Sequence, residues 1–486
     1  MVATSTQPQG MFDFEFDDLD DGATGDEIRE LVEAYERFCR GEESGYFDSD
    51  ALELIATYYF EEGRFEDALG VVDDALSAQP YCSDSWMRRG LLLNHLERHE
   101  EALASYDEAL SLNPIDAETL LNRGITLDAL DRLEEALDAL DAVLAVDPIC
   151  ADAFFNRGVA LEKLDRYEEG ADALQRCAEL DAEHPEVWYE LGFCYDQLGL
   201  LDEAVACYDR QIDLDPYSQN AWYNRGIVLN RLGRYEDAVA SYDFAIAITE
   251  EFASAHYNRG NALANLARHQ EAIESYEKVL DFEDGDAATF YNLGLAYEEL
   301  GENATAVAYF GKAIDDDPEY AEAHYALGCC LANDDLHEEA LASFERALHY
   351  SPDIGDFWYA RADSEYNTGR IAASLTSYGR VVELEPDNSE AWLDLGETLL
   401  EAGQAAEALQ AFGRAVALEP ASPEALLRQA KALMRLGRPD EAARSLRRTI
   451  ELDPTMQESL RDAAPDLWRD ARFRQLLGDD GAADRA

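Results

Sequence analysis

Apolar residues recur along this chain in two alternating stretches of helical spacing, and the clearest instance runs from residue 219 to residue 252. In its first half, Trp222 and Leu229 lie on one face of a predicted helix, and in its second half Ala238 and Tyr242 do the same. A Leu-Gly-Arg triplet separates the halves, and glycine supplies the backbone conformation that ends a helix. The pattern therefore predicts two amphipathic helices joined into a hairpin.

A glycine at the eighth position of this unit recurs through most of the chain. Inside a helix a glycine costs roughly 1 kcal/mol relative to alanine, so its recurrence predicts that two helices approach too closely there for a side chain. The glycines stand at positions 90, 124, 158, 192, 226, 260, 294, 328 and 396. Aligning them gives a period of 34 residues and twelve units, which begin at Ser49, Ser83, Ala117, Ala151, Pro185, Gln219, Ala253, Ala287, Ala321, Gly355, Ser389 and Pro423.

The unit resembles the tetratricopeptide repeat, whose pattern is W-x2-L-G-x2-Y, then A-x3-F, then P. The fifth unit carries this pattern nearly in full, at Trp188, Leu191, Gly192, Tyr195, Ala204, Tyr208 and Pro216. The resemblance implies an all-α fold, a right-handed α-solenoid or superhelix of about twelve 34-residue helix-turn-helix repeats with capping helices.

The period divides the chain into four segments. We expect a disordered acidic tail at 1–25, an N-terminal capping helix and linker at 26–48, the twelve repeats at 49–456, and a C-terminal capping helix and polar tail at 457–486.

Two stretches interrupt this scheme. Phe12 to Leu19 alternates aromatic and acidic residues, so it is either solvated tail or a short docking segment. We interpret Gly285-Asp286, in an acidic loop without the usual proline, as a two-residue insertion and a candidate joint between repeats 7 and 8.

The net charge of the chain limits the kinds of partner that it can bind. The net charge is -66, with 104 acidic and 38 basic residues, so the chain repels nucleic acid and anionic membranes, and we expect it to bind neither directly. Nearly all the basic residues are arginine, with lysine only at positions 163, 278, 312 and 431. This composition is typical either of a halophilic host or of arginine codon bias in a GC-rich genome.

No motif for catalysis, a cofactor or a metal stands out. The eight cysteines show no C-x-x-C spacing and no histidine partner. His95 and His99 are four residues apart, but we interpret them as solvated turn residues rather than a metal site. The sequence therefore predicts no enzyme activity and no cofactor. Without a visible signal peptide or apolar run of membrane length, we expect a cytoplasmic protein.

Arginine at position 7 of a unit pairs by pattern with an acidic residue at position 25 of the preceding unit. The arginines are Arg89, Arg123, Arg157, Arg225, Arg259 and Arg361, and the acids are Asp73, Asp107, Asp141, Asp209, Asp243 and Glu345. This covariation predicts a charge pair between neighbouring repeats, although duplication of whole units would also carry the two residues along together.

Positions 2, 5, 6 and 9 of the first helix share one stripe, which in the family lines the concave surface. Position 6 is asparagine at Asn122, Asn156, Asn224, Asn258 and Asn292, and position 5 is aromatic at Phe155, Tyr189, Tyr223, Tyr257, Tyr291, Tyr325 and Tyr359. Asparagine offers both a donor and an acceptor to a peptide backbone. The ladder is similar to that of the repeat domain of the peptide O-GlcNAc transferases, whose catalytic domain is absent here. The alternative is that neighbouring residues or water satisfy these amides.

The favoured function is thus a non-enzymatic scaffold that binds an extended peptide or protein segment in a concave groove. The alternatives are a structural protein that assembles with itself or with others through its convex faces and, less favoured, a regulatory subunit of an enzyme complex. The sequence names neither the partner nor the oligomeric state.

Overall fold

The computed structural model describes residues 25–455, and these contain twenty-five α-helices and no strand. Helix α1 (Gly25–Cys39) precedes twelve hairpins, so the prediction of an all-α solenoid of twelve helix-turn-helix repeats is confirmed. The predicted tail before residue 25 and the predicted cap from 457 onward lie outside the described residues.

The first helices of the hairpins have nearly constant length. They are α2 Ser49–Glu61, α4 Ser83–His95, α6 Ala117–Ala129, α8 Ala151–Lys163, α10 Val187–Gln197, α12 Gln219–Arg231, α14 Ala253–Asn265, α16 Ala287–Glu299, α18 Ala321–Asn333, α20 Gly355–Asn367, α22 Ser389–Glu401 and α24 Pro423–Arg435. Eleven begin at the predicted residue, whereas α10 begins at Val187, two residues after Pro185.

The second helices follow after a short turn. They are α3 Phe65–Ala78, α5 His99–Leu112, α7 Leu133–Val146, α9 Tyr167–Leu180, α11 Leu201–Leu214, α13 Tyr235–Ile248, α15 His269–Phe282, α17 Asn303–Asp316, α19 His337–Tyr350, α21 Ile371–Leu384, α23 Ala405–Leu418 and α25 Pro439–Leu452. No helix among those described is long and apolar enough to cross a membrane.

The chain divides into two compact units, one up to Ala255 and one from His256. The stretch Gly285-Asp286 lies inside the second unit, and its interpretation as an insertion is wrong, since α14 and α16 keep the 34-residue spacing. Asp286 is the N-cap of α16, and its Oδ1 accepts from Thr289 N at 2.8 Å. Leu280 and Phe290 pack onto Gly285 so closely that a Cβ there would lie 2.4 Å from the leucine.

The recurrent glycine packs against a side chain of its partner helix. A Cβ added to Gly226 would lie 2.5 Å from Cε1 of Tyr242, which is fully buried. Most repeats place Tyr or Phe at the same position, and the predicted close approach is therefore confirmed as a helix face pressed against a flat ring.

The turn inside each hairpin contains one residue in the left-handed region. Glycine fills this position in seven repeats, and five repeats use another residue there: Glu97, Asp131, Asp165, Ala267 and Asp335, with φ between 56° and 60°. Side chains with a Cβ disfavour this conformation, so these five turns are strained relative to the glycine turns.

Four predicted junction pairs form within the first unit. The Nε atoms of Arg89, Arg123, Arg157 and Arg225 lie 2.8, 2.9, 2.8 and 2.6 Å from Oδ1 of the paired aspartates, one repeat earlier. Of the fifth predicted pair, Asp243 lies in the first unit and Arg259 in the second.

Arg361 departs from the pattern. Its Nε lies 2.9 Å from Oε1 of Glu365, which is only 3% exposed and whose Oε2 accepts from Ser377 Oγ at 2.6 Å. The predicted partner, Glu345, is therefore wrong. An unpaired carboxylate destabilises the folded state more when it is buried than when it is exposed. Arg361 pairs with the buried Glu365 and so offsets that cost.

The start of the solenoid is covered by α1. Val32 and Tyr35 are buried against the first hairpin, and the Tyr35 hydroxyl donates to Asp74 Oδ2 at 2.7 Å. Beyond α1, each helix packs mainly on its neighbours in sequence.

Candidate functional site

Within each unit, the first helices of successive repeats pack directly on one another. This holds for α6 with α8 and for α16 with α18, whereas no pair of successive second helices in the described chain approaches to the same extent. The first helices therefore form the inner side of each unit, which we call the inner face. Positions 2, 5, 6 and 9 of each repeat lie on it.

All seven predicted aromatic residues are half-buried on this face. Some of the rings pack against the segment that leads into the next repeat: Phe155 lies 4.2 Å from His184 and Tyr291 lies 5.0 Å from Tyr320, between ring centroids. Others pack on the second helix of their own repeat, as Tyr257 does on Tyr276 at 5.9 Å. These contacts bury part of each ring, and the remainder is left to face a ligand.

Three tyrosine hydroxyls bond to position 6 of the following repeat. Asn224 Nδ2 donates to Tyr189 Oη at 3.0 Å, and Asn292 Nδ2 donates to Tyr257 Oη at 2.9 Å. At the equivalent place the direction is reversed, and the Tyr359 hydroxyl donates to the carboxylate of Asp394. Burial raises the pKa of Tyr189 to about 12, so its hydroxyl stays protonated at neutral pH.

The remaining predicted residues differ from one another. Asn156 donates to its own helix, at Asp152 O, at 2.8 Å, and Asn258, Tyr223 and Tyr325 are half-buried. Asn122 is fully buried, with 0% exposed and no hydrogen-bond partner for either side-chain atom in the described chain. A residue so buried presents no atom to a peptide, and we therefore remove Asn122 from the candidate site.

Acidic residues form a second feature of the inner face, which the sequence analysis missed. Position 2 is acidic in nine of the twelve repeats, and most of these side chains are exposed, as at Asp84, Glu118 and Asp152. The alignment of the twelve units that reveals the asparagines at position 6 also shows these acidic residues at position 2. The edge of the inner face is thus a row of carboxylates.

Position 12 adds carboxylates that bond between repeats. Asp128 Oδ2 lies 2.6 Å from Lys163 Nζ in the next repeat, and Asp196 pairs in the same way with Arg231. These pairs join successive first helices, but solvent screens them because the basic partners are exposed.

Glu162 and Glu190 belong to neighbouring repeats and their carboxyl groups interact with each other, while the Lys163 ammonium acts weakly on both. Burial raises the pKa of Glu162 to about 6. Burial and the neighbouring Glu162 carboxylate raise the pKa of Glu190 well above its usual range. The two carboxyl groups therefore share their protons as a coupled pair.

In the part of the chain that the structure describes, no group of three or more His, Cys, Asp and Glu residues could hold a metal ion. The prediction that His95 is a solvated turn residue is wrong, since its ring stacks on Phe65 at 4.8 Å and is half-buried. His99 Nδ1 lies 3.1 Å from Asn94 Oδ1. The inner face can thus donate and accept hydrogen bonds and attract positive charge.

Comparisons with known proteins agree with this architecture. A family model described as tetratricopeptide repeat matches residues 54–117, 121–185, 291–357, 359–424 and 393–457, and further models of the same repeat match 162–224, 228–266 and 253–285. No curated protein matches the sequence significantly.

Solved structures of repeat proteins match parts of the chain. The crystal structure of YrrB, described as a TPR protein with an unusual peptide-binding site, is 24% identical over 38% of this chain and 95% of its own, with a TM-score of 0.34. MamA is 26% identical over 35% of this chain and 94% of its own, with a TM-score of 0.33. The Cut9–Hcn1 structure is 13% identical over 84% and 99%, with a TM-score of 0.41.

The family models together cover more than half of the chain. Repeats of this family support interactions with other proteins. The chain belongs to the tetratricopeptide repeat family.

Proposed function

We propose that this protein is a non-enzymatic interaction scaffold that binds an extended peptide or protein segment along the inner face of its repeats. One observation carries the proposal: amide and hydroxyl side chains recur on this face and keep hydrogen-bonding capacity after their bonds between repeats are made. Asn224 uses Nδ2 to bond Tyr189, while its Oδ1 has no partner among the described residues. An extended segment offers backbone N–H and C=O groups to such side chains at regular intervals.

The proposed contact residues are those of the sequence prediction without Asn122. They are Asn156, Asn224, Asn258, Asn292, Phe155, Tyr189, Tyr223, Tyr257, Tyr291, Tyr325 and Tyr359. The tyrosines add rigid contact area at a low entropic cost.

The carboxylates at the edge of the inner face restrict the segment. Exposed acids at position 2, such as Asp152 and Glu322, repel acidic segments and attract basic ones. We therefore propose that the bound segment is poor in Asp and Glu.

Photo-crosslinking distinguishes the inner face from the outer face. A photoreactive amino acid replaces Asp152, which is exposed on the inner face of α8, or Asp172, which is exposed on α9 in the same repeat. Both replacements remove one carboxylate, so the net charge is matched. We expect partner segments to crosslink at position 152 and to be lost when Asn224→Ala is added. Crosslinks that form at position 172 alone would contradict the proposal.

A second candidate function is assembly through the connecting segments of the first unit. Large apolar residues are exposed at the same position of four connecting segments: Tyr81 (85%), Ile115 (69%), Ile149 (68%) and Tyr217 (80%). Such a row favours contact with another apolar surface. Sedimentation of wild type and of an Ile115→Ser, Ile149→Ser variant tests it, since loss of self-association in the variant would support assembly and an unchanged monomer would exclude it.

A further inference from the structure

A cavity of about 370 Å³ lies on the inner face of the second unit, between α14 and α16. Tyr276 from α15, only 1% exposed, lines its buried end, and Asn265 and Glu299 line it where the protein surface is exposed. Asn261 and Asn292 also line it. Its volume is near the lower limit for ligand pockets, so it suits a single side chain rather than a large molecule.

The first unit contains a filled version of the same cavity. There the carboxamide of Asn94, 5% exposed, occupies the space between repeats 2 and 3. Its Nδ2 donates to Tyr106 Oη at 3.1 Å and to Thr126 Oγ1 at 2.5 Å. Its Oδ1 lies 3.1 Å from His99 Nδ1. One carboxamide thus satisfies three neighbouring polar groups.

Five repeats later the surroundings recur but the carboxamide does not. Tyr276 and His269 take the places of Tyr106 and His99, whereas Ala264 stands in the place of Asn94 and Ala296 in that of Thr126. Two alanines therefore leave open the volume that an asparagine fills in the first unit.

The groups that line the open cavity define what it can accept. The Tyr276 hydroxyl donates its proton to Asn261 Oδ1 at 2.8 Å, so its oxygen can only accept a further hydrogen bond. His269 Nδ1 is buried and has no partner in the described chain, and in the tautomer that satisfies Asn94 in the first unit this atom donates. An occupant must therefore supply one donor and one acceptor.

We propose that this cavity is a subsite for a carboxamide, namely the side chain of a glutamine or asparagine in the segment bound along the inner face. The inference rests on the proposed function and adds a specificity to it. Among charged alternatives, a carboxylate lacks the donor for Tyr276 and is repelled by Glu299, and an ammonium or guanidinium lacks the acceptor for His269. A hydroxyl also donates and accepts, but through a single oxygen, whereas a carboxamide places its donor and its acceptor on separate atoms, as Asn94 does.

The substitution Ala264→Asn tests the subsite, since it inserts the side chain that fills the equivalent space in the first unit and changes no charge. The matched control is Ala332→Asn, at the same repeat position in repeat 9, where Phe344 replaces the tyrosine. The probes are short fluorescent peptides of Ala and Gly that differ only in a central Gln, Glu, Arg or Leu. Binding is measured by fluorescence anisotropy at constant salt concentration.

We expect the Gln peptide to bind wild type and Ala332→Asn about tenfold more tightly than the other three, a difference of about 1.4 kcal/mol. Ala264→Asn should abolish this preference, with an unchanged melting profile showing that the variant is folded. A free carboxamide, N-acetylglutamine methylamide, should compete weakly, because it lacks the backbone contacts of a segment.

Three outcomes would overturn the subsite: no preference for Gln, including no measurable binding of any peptide; a preference that persists in Ala264→Asn; or competition by the free carboxamide as strong as that of the peptide. The crosslinking experiment tests independently whether a segment binds along the inner face. Crosslinks at position 152 without a Gln preference would retain the scaffold and remove only the subsite.

Discussion

Arg225 on α12 reaches Asp209 on α11, with 2.6 Å between Nε and Oδ1, while its Nη1 donates to Ser241 Oγ on α13 at 2.7 Å. One guanidinium thus joins three consecutive helices across a repeat junction. The serine in turn donates to Asp237 O at 2.8 Å. Arg89 repeats the arrangement with Asp73 and Ser105.

The charge pair should behave as a coupled unit. Arg225→Glu should lower the free energy of unfolding by about 1 kcal/mol, because the aspartate is half-exposed and solvent screens the pair. Adding Asp209→Arg should recover only part of this loss, since the bond to Ser241 is not restored. Urea denaturation of the double-mutant cycle measures the coupling. Arg210→Glu, on the exposed side of α11, controls for the change in net charge, and strictly additive losses would contradict a bridging role.

The strained turns predict stabilising substitutions. Ala267→Gly should raise the free energy of unfolding by roughly 0.5–1 kcal/mol, because φ at this residue is 56° and glycine adopts that value without steric cost. Gly233→Ala, at the same turn position one repeat earlier, should lower stability. Thermal denaturation of both variants tests whether the first is more stable and the second less stable than wild type. A lower melting temperature for Ala267→Gly would show that strain at this turn is not what limits stability.

Asn94 should contribute more to stability than other residues at its repeat position. Asn94→Ala leaves Tyr106, Thr126 and His99 without their shared partner, and it should cost about 1–3 kcal/mol. Asn230→Ala is the matched control, because Asn230 Oδ1 has no partner in the described chain. Equal losses for the two variants, measured by urea denaturation, would contradict the account of the filled cavity.

The coupled carboxyl groups predict a pH-dependent effect. Because the folded pKa values of Glu162 and Glu190 lie above the ordinary value, the native state binds more protons than the unfolded chain, and stability falls as pH rises through about 6. Glu190→Gln removes this loss. It should therefore stabilise the protein at pH 8 by on the order of 1–2 kcal/mol and have little effect near pH 4.

Melting temperatures between pH 4 and pH 8 test this prediction. Since the chain is strongly acidic, its overall stability also varies with pH, so the quantity of interest is the difference between variant and wild type. Glu168→Gln, an exposed neighbour, removes the same charge without burial. A Glu190→Gln effect that is independent of pH, or equal to that of Glu168→Gln, would show that the pair does not titrate as described.

Most of the fold could be predicted from the sequence because one period determines it. The recurrent glycine, the turn and the apolar stripe located eleven of twelve first helices to the residue. The exception is α10, which begins two residues after Pro185, whereas α24 begins at its own proline, Pro423. The error at Gly285-Asp286 came from interpreting a missing proline as extra length, although the helix spacing is unchanged.

The site was less predictable, because side chains of neighbouring repeats decide how each position is used. Asn122 and Asn224 share a repeat position, yet one is buried and the other bonds Tyr189 at the surface. Arg361 has the expected acidic partner in sequence but turns to Glu365 instead. The filled and open cavities likewise differ through Asn94 and Ala264, a contrast that only three-dimensional contacts make meaningful.

The packing of each helix mainly on its sequence neighbours has a mechanical consequence. The described helices contact mainly the helices next to them in sequence, so we expect hairpins to detach one at a time when such a solenoid is stretched. Each detached repeat of 34 residues would release roughly 110 Å of extended chain. The protein would then lengthen in equal steps under force, with the strained turns yielding before the glycine turns.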